Sequence, residues 1–396
     1  MLVNLKTNTM LTNIVTPAPK TYIGRDSSKR LDEILKDFSP KKILLIADPH
    51  LVKLGLHKGI TDLLEKSKYN YILYSEIIPE PTLKTGQDVI DFSRDDDFSL
   101  IIGFGGGSAL DMSKLAAVFV ENPGPLGDYL NLSVKRKITN KGIPKILIPT
   151  TSGTGTEVTN ISVLSLEKNK DVVVHDYLIA DVAIVDPVFT LTVPRRITAS
   201  TGIDALTHAI ESYISVNKNS ISDAWALQSI RLIGSSLKVA VKDGNNIQAR
   251  EAMSYGSYLA GLAFFNAGVG AVHALAYPLG AQFHVPHGES NAVLLPYVMN
   301  YIKSSCKAEM KVIFESLTGL KVVGENAEEE CVARLKNLVH DIGIHTTLKD
   351  YGITEASIPS LVTDALKQKR LLARCPMKMQ DVDILEIYES AYRGYF

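Results

Sequence analysis

The sequence predicts an α/β domain built on a parallel sheet, followed by an all-helical domain. In the first half, short apolar runs typical of buried parallel strands alternate with amphipathic helical segments. From about Pro194, long helical patterns such as AWALQSIRLIGSSLKVAV take over, and no second set of strands is predicted. Because 396 residues exceed the usual size of a single core, we expect two domains, 1–194 and 195–396.

The first predicted strand is the apolar run from Lys42 to Ala47, which follows an amphipathic helix over Ser27 to Phe38 and ends at Asp48. A carboxylate at the carboxyl end of such a strand can accept hydrogen bonds from a ribose hydroxyl and repels a 2′-phosphate. Aspartate is also common in turns and helix caps, and spacing alone favours that plainer interpretation by about two to one. A second helix and strand, TDLLEKSKY and NYILYSEI, come next.

A glycine-rich turn follows the next predicted helix, Thr85 to Arg94. Leu100 to Ile102 is predicted as a strand, 103–107 as a turn, and Ser108 as the start of a helix. Backbone amides at such a helix start bind anions, and the consecutive glycines 105–107 favour a close approach of the backbone to a ligand. The turn therefore indicates a pyrophosphate site. Because its spacing is not GxGxxG, a tight turn without a ligand stays an alternative.

A second loop of small and hydroxyl-bearing residues, TSGTGTE at 151–157, follows the predicted strand Lys145 to Thr150. Its hydroxyl groups suit hydrogen bonds to a ribose or a phosphate, although Thr and Gly are also ordinary turn formers. Two such loops together favour a nucleotide. Beyond them, 161–166 and 172–174 are predicted as paired strands with Lys170 at the turn between them, and DVAIVDP at 181–187 ends the alternating half.

The helical half contains a candidate metal site. Asp204 and His208 lie four residues apart in TGIDALTHAIESYI, which places both on one face of a helix, and His273 and His287 follow near Gly and Pro turns. One carboxylate and three imidazoles suit Zn²⁺ or Fe²⁺, whereas Ca²⁺ and Mg²⁺ prefer oxygen ligands. A histidine on an apolar helix is more often a hydrogen-bonded core or surface residue than a metal ligand. The clustering of these residues offsets that expectation, so spacing alone supports a metal site and a purely structural role equally.

Composition excludes several classes of partner. A formal net charge of -1 gives no electrostatic basis for binding nucleic acid or an anionic membrane. The three cysteines, Cys306, Cys331 and Cys375, form no CxxC pattern, so we expect free thiols in a reducing compartment. The N-terminus has no basic segment followed by an apolar core, and no run of eighteen apolar residues occurs, so we expect a soluble, cytoplasmic protein.

Several stretches resemble the iron-containing, or group III, alcohol dehydrogenases. They are GGGSALDMSK at 105–114, PTTSGTGTEVT at 149–159, STGIDALTHAIE at 200–211 and HALAYPLGAQFHVPHGESNAVLLP at 273–296. The resemblance implies an N-terminal dinucleotide-binding domain, an all-helical C-terminal domain and a metal in the cleft between them.

The resemblance also implies a role for individual residues. The implied metal ligands are Asp204, His208, His273 and His287. Asp48 matches the position that meets the adenosine ribose. The implied pyrophosphate loop is Gly105, Gly106, Gly107, Ser108 and Asp111. The rest of the implied cofactor channel is Thr150, Thr151, Thr154, Thr159 and Lys170.

The implied activity is reversible hydride transfer between NAD(H) and a small alcohol or aldehyde, with Fe²⁺ favoured over Zn²⁺ and a homodimer or higher homo-oligomer expected. Several relatives have a histidine four residues after the third ligand, where this sequence has Tyr277. Tyr277 is the candidate proton relay, although an ordinary tyrosine pKa near 10 suits neutral pH less well than that of histidine. Alternatives are a glycerol-dehydrogenase-like polyol or hydroxy-acid dehydrogenase, a dehydroquinate-synthase-like lyase, and a cofactor-binding sensor without turnover.

Overall fold

The strands of the first half form one six-stranded parallel sheet and one two-stranded antiparallel ribbon. The computed structural model describes residues 14–132, 134–166, 170–322 and 326–396. Its strands are β1 Lys20–Ile23, β2 Ile43–Ala47, β3 Tyr71–Tyr74, β4 Leu100–Gly105, β5 Lys145–Pro149, β6 Ile161–Ser165, β7 Lys170–Val174 and β8 Val182–Val185. The sheet order is β1-β8-β5-β4-β2-β3, with every pair parallel, and β6 pairs antiparallel with β7. The predicted parallel sheet is confirmed.

Helices cover both faces of this sheet. They are α1 Leu31–Phe38, α2 Pro49–Lys53, α3 Lys58–Lys66, α4 Leu83–Arg94 and α5 Gly107–Phe119. Along β2, Leu44 and Ile46 join the core beneath α4 and α5, while Ile43, Leu45 and Ala47 join the core beneath α1 and α3. A strand buried on both faces reads as a continuous apolar run, which is why β2 was recognisable in the sequence.

The order in which strands are added to the sheet reverses between the parallel neighbours β2 and β4. From β2 the chain continues to β3 at one edge of the sheet, whereas from β4 it continues to β5 on the other side. Connections that leave in opposite directions open a crevice at the carboxyl ends of the two strands, which is where open α/β sheets bind ligands. Asp48 follows β2 and the glycine turn follows β4, so both lie at this crevice.

The second half is helical throughout its described residues. Its helices are α6 Arg195–Ile214, α7 Ser220–Lys242, α8 Ile247–Ala267, α9 Ala271–Phe283, α10 His287–Ile302, α11 Lys307–Thr318, α12 Ala327–Asp341, α13 Ile358–Ala365, α14 Lys369–Leu372 and α15 Asp381–Arg393. One large apolar cluster runs through them. Within the described ranges, no single helix is long and apolar enough to cross a membrane; α8 and α9, bent by 105°, pass that test only as a pair.

Three local predictions were wrong. The helix after the glycine turn starts at Gly107 rather than Ser108, and Lys170 is the first residue of β7 rather than part of a turn. Strand β4 extends to Gly105, so Gly103 lies in the strand and not in the turn. A side chain at Gly103 would lie 2.6 Å from the Ser113 hydroxyl of α5, so this glycine permits close packing of α5 on the strand.

Strand β1 was missed altogether. It is a short edge strand with no buried residue, paired only with β8, so its sequence KTYI carries no apolar run. The interval between β8 and α6 contains the predicted domain boundary, since Pro194 is the residue that caps α6. The division into 1–194 and 195–396 stays a prediction.

The two halves meet where the loop after β5 contacts α8. A Cβ added at Gly261 would lie 2.7 Å from Val158 Cγ2 and 2.9 Å from the Gly155 carbonyl oxygen. We therefore expect Gly261→Ala to lower the free energy of unfolding by about 1–3 kcal/mol, measured by urea denaturation, since overpacking forces the backbones apart. Gly59→Ala in α3 is the matched control, because its Cβ would meet nothing within 4 Å. Gly59→Ala should leave the free energy of unfolding unchanged or raise it by up to about 1 kcal/mol. Equal effects of the two changes would contradict the close contact of Gly261 with the loop after β5.

Candidate active site

Four side chains from three helices converge on one point. Asp204 and His208 lie one turn apart in α6, His273 lies in α9, and His287 is the first residue of α10. The Asp204 Oδ1 atom lies 4.0 Å from His208 Nε2 and 3.7 Å from the Nε2 atoms of both His273 and His287. The ligand atoms of Asp204, His208 and His273 all lie within 4.8 Å of one another. These four residues form the candidate metal centre.

A tight helix contact places His287. A Cβ at Gly288 would lie 2.2 Å from the Ser200 carbonyl oxygen of α6, so the first turn of α10 lies directly against the α6 backbone. Only glycine permits this approach. The contact holds His287 beside α6, where its Nε2 atom lies 3.7 Å from Asp204 Oδ1.

The Asn291 amide tests whether this centre fits a cation. Its Nδ2 atom lies 2.7 Å from Asp204 Oδ1, 3.1 Å from His273 Nε2 and 3.3 Å from His287 Nε2. When His273 Nε2 is unprotonated, as metal binding requires, three atoms with lone pairs face one NH₂ group, which has only two hydrogens. Among the described residues, the buried Asn291 Oδ1 has no hydrogen-bond partner. A divalent cation between the four side chains would satisfy these lone pairs, and one oxygen with three nitrogens suits Fe²⁺ or Zn²⁺.

Burial sets the protonation of the four side chains. Burial lowers the pKa of His208 to about 4 and that of His287 to about 3, although Asp204 opposes both shifts. Burial alone would raise the pKa of Asp204, but the surrounding imidazoles outweigh it and hold that pKa well below its usual range. At neutral pH the centre therefore offers a carboxylate and at least two neutral imidazoles, which are the forms that bind metals.

His273 is oriented by Glu211, a buried carboxylate of α6. The imidazole Nδ1 lies 2.6 Å from Glu211 Oε2, and the backbone N–H groups of Val272 and His273 donate to the same carboxylate at 2.6 and 3.4 Å. Burial lowers the pKa of His273, but the hydrogen bonds to Asp204 and Glu211 outweigh it and raise that pKa to about 9. Because Nδ1–H donates to Glu211, Nε2 is directed at the metal centre.

The glycine turn lies at the crevice between β2 and β4. Gly106 caps α5, and a Cβ at Gly107 would lie 2.8 Å from Thr154 Cγ2, so the two loops predicted to bind a nucleotide touch each other. Asp48 lies beside them: a Cβ at Gly105 would be 3.1 Å from Asp48 Cβ. The Asp48 carboxylate accepts a hydrogen bond from the His50 N–H at 2.8 Å and caps α2. The cap interpretation of Asp48 therefore holds, and its contact with a ribose stays a prediction.

One cavity of about 350 Å³ connects this loop to the candidate metal centre. The predicted site residues that line it are Gly107, Ser108, Asp111, Thr154, Thr159, Lys170, Asp204, His208, His273, Tyr277 and His287. The predicted site residues outside its lining are Asp48, Gly105, Gly106, Thr150 and Thr151. A metal and an extended cofactor can therefore share one space. The roles of the individual residues stay predictions.

Known proteins match the chain over nearly its whole length. The model described as "Iron-containing alcohol dehydrogenase" matches residues 18–187, and "Fe-containing alcohol dehydrogenase family, C-terminal" matches residues 198–392. Long-chain-alcohol dehydrogenase 1 of Geobacillus thermodenitrificans is 55% identical over 96% of this chain and 97% of its own length. The chain belongs to the iron-containing alcohol dehydrogenase family.

Solved structures of the family share this fold. The alcohol dehydrogenase from Oenococcus oeni is 32% identical with a TM-score of 0.91, covering 96% of this chain and 100% of that one. Sulfoacetaldehyde reductase from Bifidobacterium kashiwanohense, in complex with NAD+, is 28% identical with a TM-score of 0.87, covering 96% and 99%. The resemblance and the fold class predicted from the sequence are confirmed.

Beneath the cofactor loop of this family member lies a buried ionic network. Lys114 Nζ donates to Thr156 Oγ1 at 2.7 Å and to Thr159 Oγ1 at 3.1 Å, and it lies 3.5 Å from Asp111 Oδ1. The Asp111 carboxylate also accepts hydrogen bonds from the Thr156 hydroxyl and the Val163 N–H. Asp111 thus supports the loop from inside the protein, which gives it a structural task besides any contact with the cofactor.

Sequence reasoning missed Glu211, Asn291 and Lys114. Each lies one helical turn from a predicted residue: Glu211 three residues after His208, Asn291 four after His287 and Lys114 three after Asp111. Polar residues that share a helix face with a candidate ligand were the available signal.

Glu211→Gln tests whether orientation of His273 matters for metal binding. Glutamine has only one acceptor oxygen, so it cannot accept from both the Val272 N–H and the His273 Nδ1–H, and it removes the negative charge beside the imidazole; we expect metal affinity to fall about 10–100-fold. Competition with a chromophoric chelator measures this. Glu328→Gln is the control, because Glu328 is also a buried helix carboxylate but pairs with Lys307. Unchanged affinity in Glu211→Gln would show that His273 is held by packing alone.

Proposed function

We propose that the chain transfers a hydride between NAD(H) and a primary alcohol or its aldehyde, with Asp204, His208, His273 and His287 holding the metal. As a member of its family, the chain is an NAD- and iron-dependent oxidoreductase of alcohols and aldehydes. The observation that supports this assignment of residues is the single cavity that joins the candidate metal centre to the glycine turn.

The chain's own residues bind and orient the reactants. The amides at the start of α5 suit the pyrophosphate, because a helix N-terminus attracts anions. Neutral His208 and His287 keep their lone pairs available for the metal, and Glu211 directs His273 to it. When bound, the metal supplies Lewis-acid polarisation of the carbonyl oxygen, and NAD(H) carries the hydride.

We propose that Tyr277 acts on the substrate oxygen. Its ring centroid lies 5.8 Å from that of His287, and its side chain lines the cavity. Burial raises the pKa of Tyr277 above its ordinary value, so the hydroxyl stays protonated across the neutral range. We infer that Tyr277 donates a hydrogen bond or a proton to the substrate oxygen during aldehyde reduction, and that it is a poor base for alcohol oxidation.

The cavity wall near the metal centre indicates the kind of substrate. Phe264, Phe265, Val269 and Leu371 supply apolar surface there, and Phe264 stacks on His208 with centroids 4.5 Å apart. Such a wall excludes water and suits the alkyl chain of an alcohol. This agrees with the name of the relative from Geobacillus thermodenitrificans, a long-chain-alcohol dehydrogenase. We also infer a cytoplasmic homo-oligomer, and the three buried free cysteines support a reducing compartment.

Metal removal tests the assignment of the ligands. Chelation should abolish NADH formation from primary alcohols, measured by absorbance, and added Fe²⁺ or Zn²⁺ should restore it. His287→Ala should lower bound metal and activity together by more than about 100-fold, since loss of a ligand exceeds loss of its supporting hydrogen bond.

The control is His284→Asn, because exposed His284 lies three residues away in a left-handed conformation that asparagine tolerates. Full activity of the chelated enzyme would remove the metal from the mechanism, and normal metal content in His287→Ala would remove His287 from the centre.

Cofactor choice tests Asp48. A 2′-phosphate beside this carboxylate meets a like charge, which costs on the order of a few kcal/mol, so NAD should be preferred over NADP by roughly a hundredfold. Asp48→Asn keeps the cap of α2 and removes only the charge. It should therefore lower the ratio of kcat/KM with NAD to kcat/KM with NADP, mainly by raising kcat/KM with NADP. Asp48→Gly loses the cap as well and serves as the comparison. An unchanged ratio in both variants would leave Asp48 as a cap without a cofactor role.

A further inference from the structure

Two arginines line the cavity on the side of the candidate metal centre. Arg370 lies in α14, and Arg374 follows one turn later. Within the described ranges, neither guanidinium forms an ion pair or a side-chain hydrogen bond with another residue, although most arginines of the chain do. Two cations therefore share one wall without a counter-charge.

This arrangement is unfavourable in the absence of a ligand. Arg374 is half-buried, and burial lowers its pKa, as does the positive charge of neighbouring Arg370, with only Tyr277 opposing the shift. Like charges held together in a partly desolvated place repel each other. An anion bound between them would offset both the repulsion and the lost hydration.

Packing holds Arg374 at this position. A Cβ at Gly268 would lie 2.5 Å from the Cδ, Cζ and Nε atoms of Arg374, so the guanidinium end of the side chain lies directly against the Gly268 backbone. Gly268 ends α8 with a φ of +83°, which already favours glycine. The absence of a side chain at 268 thus gives Arg374 its place at the cavity.

Tyr277 lines the same cavity as the two arginines and the candidate metal centre. The pKa of Tyr277, raised mainly by burial, is lowered by Arg370 and Arg374 and raised by Asp204, so its hydroxyl lies within range of all three charges. Apolar Val269 and Leu371 also line the cavity. The cavity therefore offers apolar surface and two guanidinium groups to a substrate whose reacting carbon lies at the metal centre.

We propose that Arg370 and Arg374 form an oxyanion subsite that binds a carboxylate at the end of the substrate remote from the reacting carbon. The substrate class is then an ω-hydroxy acid or its semialdehyde, with an alkyl chain against the apolar wall. Arginine suits this task because its planar fork binds a carboxylate through two parallel hydrogen bonds. The inference rests on the proposed function, since it takes the metal centre as the place of reaction. A cofactor phosphate has the same oxyanion chemistry and is the competing source of the ligand.

The test compares ω-hydroxy acids with their uncharged ω-hydroxy amides of equal chain length, using the metal-loaded enzyme and NAD. Wild type should favour the acid through a lower KM. Arg374→Met, which keeps an unbranched but shorter side chain and removes its charge, should reduce the acid-to-amide ratio of kcat/KM by about tenfold, equivalent to ~1.4 kcal/mol. Arg374→Lys should retain part of the preference, and Arg370→Met should reduce it less. Lys369→Met is the control for net charge, because Lys369 lies in α14 outside the cavity lining.

Calorimetry of acid binding to wild type and Arg374→Met gives a readout that needs no turnover, and it should show the same loss of affinity. Equal KM values for acid and amide in wild type would overturn the inference while leaving the proposed function intact. A higher KM for NAD in Arg374→Met, with the acid-to-amide ratio unchanged, would assign the arginines to a cofactor phosphate and also overturn it. If the metal-loaded enzyme oxidised no alcohol with NAD, the proposed function would fail, and calorimetry alone would decide the anion subsite.

Discussion

A carboxylate buried among three imidazoles is the constraint on which the helical half depends. Asp204 is 3% exposed, and no lysine or arginine lies at ion-pair distance from it in the described part of the chain. A buried, unpaired carboxylate would destabilise the fold by several kcal/mol. The helices resolve this by surrounding Asp204 with three imidazoles, of which His273 has a pKa raised to about 9, and with the amide of Asn291, which donates to it. Three other residues hold these side chains together: Glu211 orients His273, Gly288 lets α10 approach α6, and Asn291 donates to Asp204.

The sheet imposes the second constraint, which is where the cofactor can lie. The strand order switches between β2 and β4, which opens the crevice. The N-terminus of α5 lies at this crevice. The buried Lys114 network fixes the neighbouring threonine loop from beneath. Because one cavity extends from Gly107 to Asp204, residues of the sheet half and of the helical half line one space.

The sequence predicted what depends on short-range periodicity. The apolar runs of β2 and β5, the pairing of Asp204 with His208 on one helix face and the glycine turn all follow from residue spacing. Convergence of His273 and His287 depends on how α9 and α10 pack on α6, which no local pattern contains, and only the resemblance to a family supplied it. Glu211 and Asn291 went unnoticed because each is an ordinary polar residue until a neighbouring helix brings a ligand against it. Strand β1 was invisible because an edge strand needs no apolar face.

The position of β1 at the edge of the sheet has a consequence for folding during translation. In the finished sheet, Lys20 pairs with Val182, so the first strand to leave the ribosome is among the last to find its partner. The inner strands β2, β4 and β5 can associate while synthesis continues, but β1 must wait until β8 has emerged. Its length of only four residues and the exposed Lys20 at its start limit the edge with which other chains could pair in that interval. The weak strand signal that hid β1 in the sequence thus serves as protection during translation.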